Sequence, residues 1–258
     1  MKPPFKIDPI PSLLPTGGLQ YLKNLFFPKR NQLAAVNRQL EVDIHAHWLP
    51  GVDDGAQTEA EGLSLVRGLV ELGYSKLVAT PHIKADHYNN DPIKLGKVFS
   101  KFKKAVKAAG INVELGLAAE YMLDDGFIKH LEDNNLLAIN GNLVLIEMSP
   151  LQLFPALEEI LTELKRRGYQ PVLAHPERYG YYFKNWSALE ALKEQGCYFQ
   201  LNALSPAGYY GRYIGDRARA IMDRNWYEFV GTDIHNEKQL QYLAKVSYAQ
   251  AYHNSELL

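Results

Sequence analysis

The sequence holds a single cysteine, Cys197, which excludes an intramolecular disulfide and fits a reducing compartment. Cys197 lies in GCYFQLN, a strand-like run with no phosphate-binding loop after it, where a free cysteine acts as a small buried hydrophobe rather than a nucleophile. No stretch approaches the roughly 20 apolar residues that cross a bilayer. Charge of one sign is also missing. The 28 basic and 29 acidic residues are well mixed and leave a formal net charge of −1, so the basic stripe of a duplex-binding protein is lacking and nucleic acid is not an expected partner. Together these absences point to a cytoplasmic protein.

Apolar residues make up 47% of the 258, enough to fill the core of one large α/β domain. Residues 1–40 carry prolines, glycines and scattered lysines, and their apolar run around Phe26 and Phe27 is too short for a signal-peptide core. They read as a partly ordered extension. A membrane-surface or oligomer contact through Phe26, Phe27, Lys29 and Arg30 is the alternative. Residues 41–258 read as the main domain.

From residue 41 the chain alternates strand-like and helix-like runs. Strands are expected at 42–47, 76–80, 112–118, 143–148, 171–175, 198–202 and 228–232, mostly near-continuous in Val, Ile, Leu and Ala, as buried parallel strands are. Amphipathic stretches at 58–72, 93–109, 155–167 and 187–195 close on Gly73, Gly110, Gly168 and Gly196, which suit helix C-caps, and Ser187 suits an N-cap. Such alternation specifies a parallel α/β architecture. Seven strands suit a (β/α)7 barrel better than an open sheet.

The chemistry gathers where strands end. In DIHAHWLPGVDDG, His45 and His47 project to the same side of an extended segment and can bind one metal ion; Asp53 and Asp54 follow, either as a further oxygen ligand or as a solvated turn. His82 ends ATPH. Glu120 and Glu147 end the next two strands, in apolar surroundings without a neighbouring Lys or Arg; carboxylates are rarely buried there unless paired or metal-bound. His175 ends VLAHPER with Arg178 just beyond, and Asp233 and His235 in GTDIHN repeat the bidentate spacing. Asn202 binds substrate or caps its strand. Catalytic faces of β/α barrels lie at strand C-termini, and this many imidazoles and carboxylates exceeds the needs of one ion, suiting two or three divalent cations.

In order, DIHAH, ATPH, Glu120, Glu147, AHPER and TDIH resemble the motifs of the PHP (polymerase and histidinol phosphatase) superfamily. DIHAHWLPGVDDG, AAEY, HPERY and LNALSPAGYYG before GTDIHN are similar to the bacterial PHP-type tyrosine-protein phosphatases found with capsule and exopolysaccharide genes. The resemblance covers about residues 41–250 and implies a distorted (β/α)7 TIM-like barrel. It also implies hydrolysis of phosphotyrosine by metal-activated hydroxide, on the tail of a membrane-associated tyrosine kinase. His45, His47, Glu120 and Asp233 would hold one metal; Glu120 would bridge to a second completed by Glu147 and His175; Asp54, His82 and His235 would hold a third. Manganese is the expected ion, with iron, zinc or magnesium as alternatives. Arg178 would contact the phosphate; tyrosinate is a comparatively good leaving group, and His47, His235 or water protonates it. Some members carry an arginine shortly after the last DxH, where this chain reads HNEKQLQY; Arg212 or Arg217 stands in, or the phosphate has one arginine fewer. Tyr179, Tyr181, Tyr182, Tyr209 and Tyr210 form either an aromatic rim for the substrate or ordinary cover for a barrel mouth. A phosphatase of a small ester such as histidinol phosphate, a metal-dependent amidohydrolase and a non-catalytic phosphotyrosine-binding module are the rival readings.

Overall fold

A computed structural model describes residues 42–183 and 185–245; the contact proposed for Phe26, Phe27, Lys29 and Arg30 lies outside them. The order is β1 (Val42–Ala46), α1 (Glu59–Glu71), β2 (Lys76–Ala79), β3 (His82–Ile83), α2 (Pro92–Ala108), β4 (Glu114–Leu117), β5 (Glu120–Met122), α3 (Asp125–Glu132) and β6 (Leu143–Glu147). Then come α4 (Leu157–Arg166), β7 (Gln170–Ala174), α5 (Trp186–Glu194), β8 (Tyr198–Asn202), α6 (Arg212–Met222), β9 (Phe229–Gly231) and α7 (Glu237–Lys245). Single 3-10 turns occupy Pro176–Arg178 and Gly180–Tyr182.

The strand ladders are parallel and run β1-β2-β4 and β3-β5-β6-β7-β8-β9. Two of the expected strands are broken. Pro81, which has no N–H to give a ladder, separates β2 from β3, and Ala118 and Ala119 separate β4 from β5. The bonds Ala118 N to Ala79 O (2.8 Å) and Glu120 N to Pro81 O (3.2 Å) carry the pairing across both breaks. Counting each broken pair once gives seven staves. The seam between first and last is closed where Asp233 N donates to His45 O (2.7 Å) and His47 N to Ile234 O (2.9 Å). The fold is a distorted (β/α)7 barrel.

Alternation along the strands divides the core in two. Leu143 and Leu145 of β6, Val172 and Ala174 of β7, Val78, Ala118 and Phe229 fill the barrel with Val42 and Ile44 of β1. Val144, Ile146, Leu173, Phe199, Leu201 and Val230 face the other way, into the larger cluster beneath the helices. A register shift between Asp43 and Ala46 lets Ile44 join the inner cluster while its neighbour His45 joins the polar layer above it. That layer, at the strand C-termini, is the site.

Four helices fall within two residues of the expected spans. Gly73, Gly110, Gly168 and Gly196 follow them with positive φ (105°, 68°, 85° and 78°), the left-handed turn that glycine makes without strain. The N-cap of α5 is Asn185, whose side chain accepts from Ala188 N, rather than Ser187. Helices α3, α6 and α7 carry no comparable signal. Helix α3 is only eight residues long, and α6 places Gly215 and three arginines within eleven.

One buried carboxylate fastens the seam. Asp43 accepts from Thr232 N (2.9 Å), Thr232 Oγ1 (2.6 Å) and His45 N (3.3 Å), joining the first stave to the last. Burial raises its carboxyl to about 6 against the opposing pull of those bonds. Asp43→Ala strands the Thr232 donors and is expected to cost about 2–3 kcal/mol. Urea denaturation measures this, and an unchanged midpoint would show that the seam closes without the carboxylate.

Candidate metal centre

The strand-end residues meet in one layer. His45 Nε2 lies 3.1 Å from His47 Nε2, 3.2 Å from Glu120 Oε2 and 3.3 Å from Asp233 Oδ1. His47 Nε2 lies 3.4 Å from the same Glu120 oxygen and 3.3 Å from Asp233 Oδ1. These four residues form one group able to hold a cation. Donor atoms spaced near 3.3 Å can close on a common point about 2.0 Å from each, the distance at which nitrogen and oxygen bind zinc and similar ions. Glu120 Oε2 and His82 Nδ1 are buried with no hydrogen-bond partner. Orphaned polar atoms converging on a common space are what a divalent cation satisfies.

Glu120 belongs to a second group as well, with His82 and Glu147, in which both carboxylates lie 3.2 Å from His82 Nδ1. His175, expected in this set, places Nε2 3.0 Å from Glu120 Oε1. The third group joins Asp54, His82 and His235 to His47; Asp54 Oδ1 stands 3.5 Å from His82 Nε2 and 3.6 Å from His235 Nε2. The groups overlap rather than standing apart: His82 faces both Glu147 and Asp54, and His47 belongs to two groups.

Local backbone explains how these side chains arrive. In the loop after β1, a Cβ at Gly55 would sit 2.0 Å from His47 O, so only glycine lets Ala56 N bond that carbonyl (3.0 Å). The fold-back separates the two aspartates. Asp53 goes beneath, accepting from His47 Nδ1 (2.8 Å), Gly55 N (2.9 Å) and His82 N (3.1 Å); Asp54 stays above, its side chain 54% exposed. At β9 a Cβ on Gly231 would lie 2.4 Å from His45 Cβ, so glycine is required there. His175 (φ 37°) and Asp233 (φ 50°) adopt left-handed conformations, uncommon for such residues and a form of strain that collects at functional sites. Asp233 and His235 therefore reach the site through a left-handed kink at Asp233 rather than through the extended spacing read from sequence.

A second layer fixes the imidazoles. His47 Nδ1 donates to Asp53, His45 Nδ1 to Gln200 Oε1 (2.8 Å) and His235 Nδ1 to the Asp233 carbonyl (2.9 Å). In each case the lone pair of Nε2 is left facing the cluster. Asp53, expected as an oxygen ligand or a solvated turn, instead holds His47, and Gln200 is a site residue that the sequence analysis did not single out. A polar Gln in the middle of a buried strand was the available signal.

Arg178 comes from the 3-10 turn after His175. Its Nη2 lies 2.8 Å from Asp233 Oδ2 and its guanidinium rests 4.1 Å over the Tyr210 ring. The side chain remains 24% exposed and Nε has no partner. Glu177 anchors the turn by accepting from Asn202 N (3.1 Å) and Tyr227 Oη (3.0 Å).

Three expected substrate contacts are placed otherwise. Asn202 is fully buried and committed, donating to Asp233 Oδ2 (2.7 Å) and Tyr210 Oη (3.2 Å) and accepting from Leu204 N (2.9 Å); it orients the aspartate. Arg217 is buried, donates to the Tyr179 carbonyl and packs over Phe183 and Tyr213. Arg212, 94% exposed, pairs with Asp216 one helical turn on. Neither arginine is tied to the cluster by an ion pair among the described residues. Tyr179 and Tyr182 are buried, and Tyr210 lies under Arg178. Burial pushes the Cys197 thiol up to about 12, as packing rather than reactivity requires.

Residues 41–249 match the family described as capsular polysaccharide synthesis, CpsB/CapC. The chain belongs to that family. Tyrosine-protein phosphatase YwqE of Bacillus subtilis is 30% identical over 76% of this chain and 78% of its own length, and tyrosine-protein phosphatase CpsB of Streptococcus pneumoniae is 26% identical over 76% and 83%. A solved structure from work on those two proteins, described as unique metal-dependent tyrosine phosphatases, superposes with a TM-score of 0.72 at 27% identity, covering 81% of this chain and 88% of that one. Histidinol phosphate phosphatase of Lactococcus lactis superposes with a TM-score of 0.50 at 13% identity, covering 83% and 95%, which establishes a shared fold.

The charge of the cluster makes its stability depend on pH. Burial alone would lower the His82 imidazole, but the facing charges of Glu120 and Glu147 outweigh it and raise His82 from 6.5 to about 9. A raised folded-state value contributes stability that is complete below 6.5 and is lost as pH climbs through about 9. A divalent cation displaces such protons and so binds more tightly over the same interval. Chelated protein should thus melt at lower temperature as pH rises, and the gap to manganese-loaded protein should widen. Scanning fluorimetry across that range tests this; a constant or narrowing gap refutes it.

Proposed function

We propose that this protein is a metal-dependent protein-tyrosine phosphatase of the cytoplasm, acting on the phosphotyrosine tail of a membrane-associated tyrosine kinase in polysaccharide export. The observation that carries the reading is the pairing of a multi-cation His/Asp/Glu layer with Arg178 at its rim. Cations suit phosphoryl oxygens, and a partly exposed guanidinium adds a bidentate anion contact that a carbonyl substrate does not need. Membership of the CpsB/CapC family and the tyrosine phosphatases within it support the substrate class. Among the described residues no helix is long and apolar enough to cross a membrane.

His45, His47, Glu120 and Asp233 hold one ion in this reading; Glu120, Glu147 and His175 hold a second; Asp54, His82 and His235 hold a third. Two or three manganese ions fit the mixed nitrogen and oxygen donors, with iron, zinc or magnesium as alternatives. Bound divalent cations supply Lewis acidity and a water of lowered pKa. The chain's own residues do the rest. Arg178, kept charged beside Asp233 and held flat on Tyr210, takes a phosphoryl oxygen. Glu120, shared by two of the donor groups, would contribute to both ion sites. His47 and His235 both turn Nε2 to the ion sites and keep Nδ1 bonded, to Asp53 and to the Asp233 carbonyl, so water rather than either ring is left to protonate the departing tyrosinate.

The histidinol-phosphate reading draws only on a shared fold, and a non-catalytic module has no use for a complete ligand set. The decisive assay is phosphate release from a phosphotyrosine peptide and from histidinol phosphate, with manganese and with chelator. Manganese-dependent turnover of the peptide alone is expected; turnover of the small ester alone refutes the substrate assignment. Arg178→Ala is expected to lower kcat/KM about 100-fold with metal content unchanged by elemental analysis. Loss of metal in that variant would defeat the role given to Arg178.

A further inference from the structure

The segment between β3 and α2 folds back on the site. Lys84 and Tyr88 exchange backbone hydrogen bonds (3.0 and 2.9 Å), and the Asn90 amide donates to the carbonyls of Val52 and His82, both at 2.8 Å. This tight hairpin lays the Tyr88 ring along the His82 ring, with centroids 5.5 Å apart and planes 14° apart. Tyr88 is half-buried and also lines a cleft of about 420 Å³ with Lys84, Asn89, Lys129 and Asn135. The ring therefore stands between the cluster and an open groove.

Other aromatic rings near the site are committed elsewhere. Tyr179 touches His175 but is buried, its hydroxyl bonded to Met148 N and the Ala174 carbonyl. Tyr210 carries Arg178. Among the described residues, Tyr88 is the partly exposed ring packed on an imidazole of the cluster.

We infer that Tyr88 is a substrate-recognition residue whose ring stacks on the aryl group of the phosphate ester while the phosphate sits over the cluster; this rests on the tyrosine phosphatase reading. Offset aromatic pairs favour such an arrangement, and His82 behind the ring keeps it from turning away. An alkyl phosphate gains nothing from the contact. Tyr88 thus selects phosphotyrosine over phosphoserine through the ring rather than the phosphate.

The test compares wild type, Tyr88→Leu and Tyr88→Phe on a phosphotyrosine peptide and on the same peptide bearing phosphoserine, with manganese content and melting temperature measured on each. Tyr88→Leu is expected to raise KM for the phosphotyrosine peptide about five-fold, with kcat, metal content and phosphoserine kinetics little changed. Tyr88→Phe, which keeps the ring, should behave as wild type. Wild type active on phosphotyrosine with Tyr88→Leu unchanged overturns this inference alone, as does an equal loss on both peptides. Wild type that hydrolyses neither peptide overturns the parent reading and this one with it.

Discussion

The buried carboxylate of Glu120 is the constraint around which the mouth of the barrel is built. It carries no solvent exposure, yet four imidazoles close on it: His45, His47 and His82 on one oxygen at 3.2, 3.4 and 3.2 Å, and His175 on the other at 3.0 Å. Burial alone would keep the carboxyl protonated. The facing His45 and His82 outweigh it and hold Glu120 well below the usual range, so the charge persists and must be answered by protons on imidazoles or by cations. Three other staves send imidazoles to this one group: the first through His45 and His47, the second through His82 and the fifth through His175.

Those stave ends rest on features with little chemistry of their own. Gly231 leaves room for His45, Gly55 lets the acidic loop close over His47, and Asp43 ties the last stave to the first. The large apolar cluster between barrel and helices supplies the stability that such a polar layer lacks, since clustered buried charge is costly without compensation. Site and scaffold are therefore one problem. The left-handed His175 and Asp233 are tolerated because neighbouring staves fix them from both sides.

The staves and four of the helices were legible in the sequence because buried parallel strands read as apolar runs and helices end on left-handed glycines. Strand-end His, Asp and Glu were legible for the same reason, since polar residues stand out against such runs. The breaks at Pro81 and at Ala118 and Ala119 were not, because two short strands that continue one stave look like one. Spacing placed Asp233 and His235 together as an extended pair, whereas the backbone kinks into the left-handed region at Asp233. Arg212 and Arg217 show the opposite limit. A charge on the sequence carries no sign of whether it will lie in solvent, as Arg212 does, or bury itself against aromatic rings, as Arg217 does.

Asp233 joins the two halves of the chemistry. Its Oδ1 faces His45 and His47, while Oδ2 accepts from Arg178 and Asn202. One carboxylate cannot give its full charge to both sides. While Asp233 faces only imidazoles, Arg178 is its strongest counter-charge and is held at 2.8 Å. In the proposed reading, a cation held on the Oδ1 side would share that charge, leaving the guanidinium of Arg178 freer to take a phosphate. Metal binding and the freeing of the arginine would then be coupled through Asp233, and Asn202, bonded to the same oxygen, would keep the carboxylate aligned.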